Sequence, residues 1–147
     1  MKIFIFLLTL LITNTAFAEK CDLSKIVTKK EQIIKFPPSA KVYAGYLNIL
    51  NYNKSSIILQ KVNSEFSTQI EIHFMQVKNG IMRMKKLDSG LEITSNSFVR
   101  LRPGGLHIMF KKLNKKINYN SDQIVKLDFG DCGVLKTNFK VLKKFLD

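Results

Sequence analysis

The chain of 147 residues has two histidines and five methionines, the initiator included. Both histidines and the four other methionines fall between His73 and Met109. They occur as His73-Phe74-Met75, Met82-Arg83-Met84 and His107-Ile108-Met109. Alternate residues of a β-strand share a face, so each segment offers its imidazole or sulfur on one side. Thioether sulfur is soft and neutral, a poor ligand for zinc, magnesium or calcium and a natural one for Cu(I). A donor set without carboxylate or thiolate leaves a divalent charge uncompensated, and a basic chain adds to that penalty. The predicted ion is therefore Cu(I). Only the imidazoles titrate, so affinity should weaken as pH falls through about 6.5.

The elements that position these groups follow from turn chemistry. Asn79-Gly80 is the strongest two-residue hairpin signal, since both residues tolerate positive φ. With these two as the loop, Lys78 pairs with Ile81, Val77 with Met82, Gln76 with Arg83, Met75 with Met84 and His73 with Lys86. His73 then lies diagonal to Met84 on one face, within reach for side chains bridging a common ion. The Pro103-Gly104-Gly105 turn presents His107 and Met109 from a third strand. Each position also has a packing alternative. Methionine fills cores, which serves equally well for Met75 and Met82, and a histidine beside a glycine turn can simply cap the loop.

Around this cluster the chain reads as a single β-rich domain, a sandwich or small barrel. Short runs of Ile, Val, Phe and Tyr alternate with turn residues and no repeat or linker divides them. The expected strands are Ile33-Phe36, Val42-Leu50, Ser56-Val62, Gln69-Val77, Ile81-Lys86, Leu91-Ile93, Ser97-Arg102, His107-Leu113, Gln123-Phe129 and Val134-Leu142. A turn of helix is allowed at Lys111 to Lys116 or at the C-terminus.

Residues 1–18 have the charged start, apolar run and Ala16-Phe17-Ala18 site of a secretory signal peptide, with cleavage expected after Ala18. The run is too short to span a bilayer, and Glu19-Lys20 before Cys21 is wrong for lipid attachment, so no stable membrane insertion is expected. Residues 19–147 then form the mature domain, exported to the periplasm. Its charge is +12, set by 23 basic and 11 acidic side chains. An exported protein with scattered lysine pairs is not expected to bind nucleic acid. In an oxidising compartment Cys21 and Cys132 are expected to form a disulfide, worth up to about 4 to 5 kcal/mol on loop-entropy grounds. The alternative is a free Cys21 able to bind copper or exchange with a partner. No nucleophile and base pair for an enzyme is evident. The competing function is an exported basic β-domain that binds an anionic surface or protein partner without metal, its methionines being ordinary core.

The sequence resembles the periplasmic copper chaperones of the PCu(A)C family, whose signature is His, ten residues, Met, about twenty-one residues, then His-x-Met. Here ten residues separate His73 from Met84 and twenty-two separate Met84 from His107, with Met109 completing His-x-Met. Further similarity lies in Pro37 to Leu47, Asn79 to Met84 and Leu101 to Met109, and the resemblance spans roughly Phe36 to Val141. It implies a cupredoxin-like Greek-key β-barrel that binds Cu(I) through His73, Met84, His107 and Met109, with no enzymatic activity. It also implies a copper-accepting partner, either the CuA centre of cytochrome c oxidase or a Sco-type protein. A monomer is expected. The chain lacks the His/Met-rich tail of some relatives, and Met75 is a possible accessory sulfur for handing the ion over.

Overall fold

A computed structural model of the protein describes residues 20–35 and 41–147. The signal peptide expected at residues 1–18 lies outside them, as do Phe36 and the proline turn that follows it. The described residues form eleven strands: β1 (Ile26–Ile34), β2 (Tyr43–Asn51), β3 (Ile57–Leu59), β4 (Lys61–Ser64), β5 (Ser67–Lys78), β6 (Ile81–Lys86), β7 (Leu91–Ile93), β8 (Ser97–Leu101), β9 (His107–Leu113), β10 (Asp122–Asp128) and β11 (Val134–Leu142). Among these residues no helix is long and apolar enough to cross a membrane.

Strand order in the large sheet is β4-β10-β11-β1-β2-β9-β5-β6, with β8 also on β2, while β3 and β7 form a separate pair. The architecture is all-β, an open sandwich or barrel, as the alternating apolar runs predicted. On its edge away from β1, β2 is shared by two neighbours: Tyr43 to Gly45 pair with β9, and Leu47 to Asn51 pair with β8. That split lets the sheet wrap around a core of Ile33, Leu47, Ile49, Phe66, Ile108, Phe110, Phe139 and their neighbours. Removal of this apolar surface from water is the main force holding the strands together.

Three local features differ from the sequence expectation. β1 begins at Ile26 rather than Ile33, because a bulge between Lys29 and Gln32, with Lys30 at φ 59°, absorbs the charged run that masks the alternation. The single strand expected over Ser56 to Val62 is two, since the chain leaves the small sheet after Leu59 and joins β10 from Lys61. Helical turns occur as 3-10 turns at Leu23–Lys25 and Gly130–Cys132, whereas Lys111 to Leu113 continue β9. Asp22 caps the first by accepting from the Ser24 amide at 2.9 Å.

These two turns are joined by a Cys21–Cys132 disulfide with Cα atoms 5.1 Å apart. It ties the segment before β1 to the connection between β10 and β11, and both cysteines pack against the main core.

Candidate metal centre

The β5–β6 hairpin has the register that Asn79-Gly80 dictates, with φ of 53° and 74° at the two loop residues. Met75 faces Met84, Val77 faces Met82 and His73 faces Lys86. On the other flank of β5 the register with β9 sets His73 opposite His107 and Glu71 opposite Met109. Ile72, Ile108 and Phe110, at the intervening positions, point into the core. Hydrophobic alternation thus drives the imidazoles and sulfurs together onto the outer face of the sheet.

The two histidines are nearly covered despite that outward placement, at 8% and 5% exposed. Their rings meet edge to face with centroids 5.5 Å apart. Tyr46 on β2 flanks the pair, with its ring 6.5 Å from that of His107. Phe145 stacks edge-on against Tyr46 at 5.3 Å. Gln32 holds that C-terminal segment by donating to the Leu146 carbonyl at 2.6 Å and accepting from its amide at 2.8 Å.

Each imidazole has one nitrogen committed to a protein acceptor. His73 donates from Nε2 to Glu71 Oε2 at 2.7 Å, and His107 donates from Nδ1 to the Gly105 carbonyl at 3.0 Å. Those bonds put the ring proton on the bonded nitrogen and leave a lone pair on the other. His73 Nδ1 is buried and has no hydrogen-bond partner. A buried polar atom without a partner is costly and calls for an explanation such as a bound ion. Burial holds the His107 pKa below its ordinary value, and the neighbouring His73 adds to that effect. Neutral imidazole, the form that coordinates a metal, is therefore favoured.

Glu71 is the residue that sequence reasoning missed. It stands two positions before His73, so the alternation that selected Met75 would also have selected it. Lys111, His73 and Gln69, in order of effect, hold its carboxyl at about 2, well below the usual range. Because Lys111 forms an ion pair with it, the carboxylate adds no uncompensated negative charge beside the imidazoles. The face remains a neutral soft-donor site.

Of the candidate sulfurs, Met109 is half-buried beside His107, and Met75 is half-buried beside His73. Met84 sits diagonal to His73 at the rim and is 56% exposed; Met82, one alternate position further out, is 60% exposed. Neither Met82 nor Met84 is core filler. The structure brings His73 and His107 together and sets Met75, Met84 and Met109 around them on one face. Cys21 and Cys132 are bonded to each other and join the main core rather than this face. Among the described residues no three of His, Cys, Asp and Glu are grouped to hold a metal.

Comparison with known proteins decides the family. The model of the LpqE-like family, described as "Putative lipoprotein LpqE-like", matches residues 26–141. The chain belongs to the LpqE-like family. A relative in Leifsonia xyli subsp. xyli, described as "Putative lipoprotein Lxx21020", is 28% identical over 88 residues, covering 60% of this chain and 53% of its own. The LpqE-like chain thus spans about half the length of the curated relative it matches. Its fold is shared with the copper-bound PCuAC domain from PmoF2, with TM-score 0.68, 17% identity and coverage of 82% and 94% of the two chains. The solution structure of CuI-DR1885 from Deinococcus radiodurans has TM-score 0.66, 20% identity and coverage of 90% and 86%. The PCu(A)C resemblance read from the sequence and the observed fold agree.

Proposed function

We propose that this LpqE-like protein is an exported Cu(I) carrier that holds the ion through His73, Met84, His107 and Met109, with Met75 as an accessory sulfur. The observation that carries the reading is the His73–His107 pair. Two imidazoles stand side by side with one nitrogen each tied down and the other open, and thioethers share their face. Donors of this kind suit a soft monovalent ion and hold it against oxidation. Transfer is then stepwise ligand exchange to a protein that offers thiolates, with no catalytic step. The recipients in this reading are the CuA centre of cytochrome c oxidase or a Sco-type protein, and the carrier acts as a monomer in the periplasm after cleavage beyond Ala18. Two proteins of the same fold, the copper-bound PCuAC domain from PmoF2 and CuI-DR1885, support the choice of ion. The Cys21–Cys132 bond supports a Cys21 that carries no acyl group, since a thiol engaged in a disulfide is not free for acylation.

The reading that treats the methionines as ordinary core of a basic binding module is disfavoured by the exposure of Met82 and Met84. Anaerobic titration against the Cu(I) chelator bicinchoninate tests the proposal. One Cu(I) per chain is expected, and Met84→Leu or Met109→Leu should weaken its affinity by about tenfold or more, ~1.4 kcal/mol, without loss of fold. Failure of the wild-type protein to retain Cu(I), or unchanged affinity in both variants, overturns it.

A further inference from the structure

Three thioethers of the β5–β6 hairpin lie in line on the face that holds the imidazoles. Met75 is opposite Met84, and Met82 is the next residue of β6 on that side, opposite Val77. Exposure rises outward from His73, through half-buried Met75 and the mostly exposed Met84 and Met82, to Val77 at 65%. All six residues of β6 are exposed, and among the described residues no strand pairs with its outer edge. Packing therefore does not account for Met82 and Met84, and a run of exposed apolar side chains marks a site of interaction. Directly opposed strand positions have Cβ atoms about 5 Å apart and diagonal ones about 7 to 8 Å, distances that flexible methionine side chains bridge.

We infer that Met75, Met84 and Met82 form a second, weaker Cu(I) site made only of thioethers, through which the ion leaves the imidazoles for the hairpin tip. This rests on the copper-carrier reading above. The step is ligand exchange at a constant oxidation state: Cu–N bonds to His73 and His107 and the Cu–S bond to Met109 break as Cu–S bonds to Met75 and Met82 form, with the bond to Met84 kept throughout. Neither an electron nor a proton need move, because the departing imidazoles are neutral and thioethers do not titrate. The site is weaker because it lacks imidazole and faces water.

Silver(I), a soft monovalent ion without redox chemistry, is the probe. In methyl NMR of the folded wild-type protein, the first equivalent should shift the Met84 and Met109 methyls, and a second should shift those of Met75 and Met82. The variant Met82→Leu, which leaves every sulfur of the first site in place, keeps side-chain volume. It should take up only one Ag(I), and should pass Cu(I) to bicinchoninate at least about threefold more slowly, with first-ion affinity held within about twofold. Unmoved Met75 and Met82 methyls at two equivalents, or transfer at the wild-type rate, overturns the inference. First-ion affinity that falls as far as in Met84→Leu also overturns it, making Met82 a primary ligand. Wild-type protein that retains one Cu(I) while these tests fail leaves the carrier reading standing, whereas protein that retains none ends both.

Discussion

His73 Nε2 lies 2.7 Å from Glu71 Oε2, and this bond fixes which nitrogen of the ring faces away from the carboxylate. A ligand histidine is commonly oriented by such an outer partner, and loss of the partner lowers metal affinity by about 10- to 100-fold. Glu71→Ala should therefore weaken Cu(I) binding by that order in competition with bicinchoninate while the protein remains folded. Glu71→Gln, which can still accept from the ring, should recover part of the loss.

The same carboxyl shapes stability in acid. Its folded pKa of about 2 lies below its ordinary 4.5, so between those values the unfolded chain binds the extra proton. The stability contributed by the Glu71 cluster is thus present above 4.5 and lost as pH falls towards 2. Urea unfolding across this window should show a steep decline in the wild-type protein and a shallower one in Glu71→Gln.

His107 titrates in the opposite sense from a histidine in an ion pair. Burial lowers its folded pKa, so below about 6.5 the unfolded state takes up the proton first and stability falls with pH. For the same reason the imidazole remains a competent ligand at lower pH than a free one. The part of the decline of Cu(I) affinity that comes from His107 should begin below the value of about 6.5 expected of unperturbed histidine. NMR titration of the His107 ring in metal-free protein, alongside affinity measured at several pH values, checks both statements.

The backbone beneath the imidazoles is sensitive to a single methyl group. Gly45, paired with Ile108, lies against Phe110, and a Cβ there would stand 2.8 Å from Phe110 Cε2 and 3.3 Å from Ile108 Cβ. Gly45→Ala must displace the buried Phe110 ring and crowd Ile108, both on β9, the strand that positions His107 and Met109. A loss of about 1 to 3 kcal/mol by chemical denaturation is expected, as for other overpacked cores. A weaker Cu(I) affinity should accompany it.

The disulfide should affect stability alone. The Asp22 amide donates to Asn53 Oδ1 at 2.8 Å, which places the Cys21 segment beyond the Asn51 end of β2, whereas the imidazoles sit beside its Tyr43 to Tyr46 end. The bond closes a loop across 111 residues. Cys21→Ser with Cys132→Ser should lower unfolding free energy by up to about 4.7 kcal/mol on loop-entropy grounds, with Cu(I) affinity unchanged.

Much of the site was legible because strand alternation and one tight turn carry most of its geometry. Asn79-Gly80 alone gave the register of Met75 with Met84, and the His-x-Met pair gave the face of β9. What escaped was long-range or masked by charge. Nothing local indicates that His107 stands opposite His73, since that depends on how β9 docks on β5. Glu71 is a hard donor among soft ones, and nothing in the sequence distinguishes its partner Lys111 from the other scattered lysines. The start of β1 was hidden by Lys29, Lys30 and Glu31, whose bulge interrupts the alternation. The cover that Phe145 gives Tyr46 comes from the last residues of the chain, clamped by Gln32 from far away in sequence.

The open edge of β6 bears on solubility. An unpaired strand rich in apolar side chains is the usual seed for fibrillar stacking between identical molecules. Arg83 and Lys85 alternate with Met82 and Met84 along that strand, so self-templated layers would pile cation upon cation at a repeat of about 4.8 Å. Concentrated metal-free protein should accordingly remain dispersed at low ionic strength and lose that protection as added salt screens the repulsion.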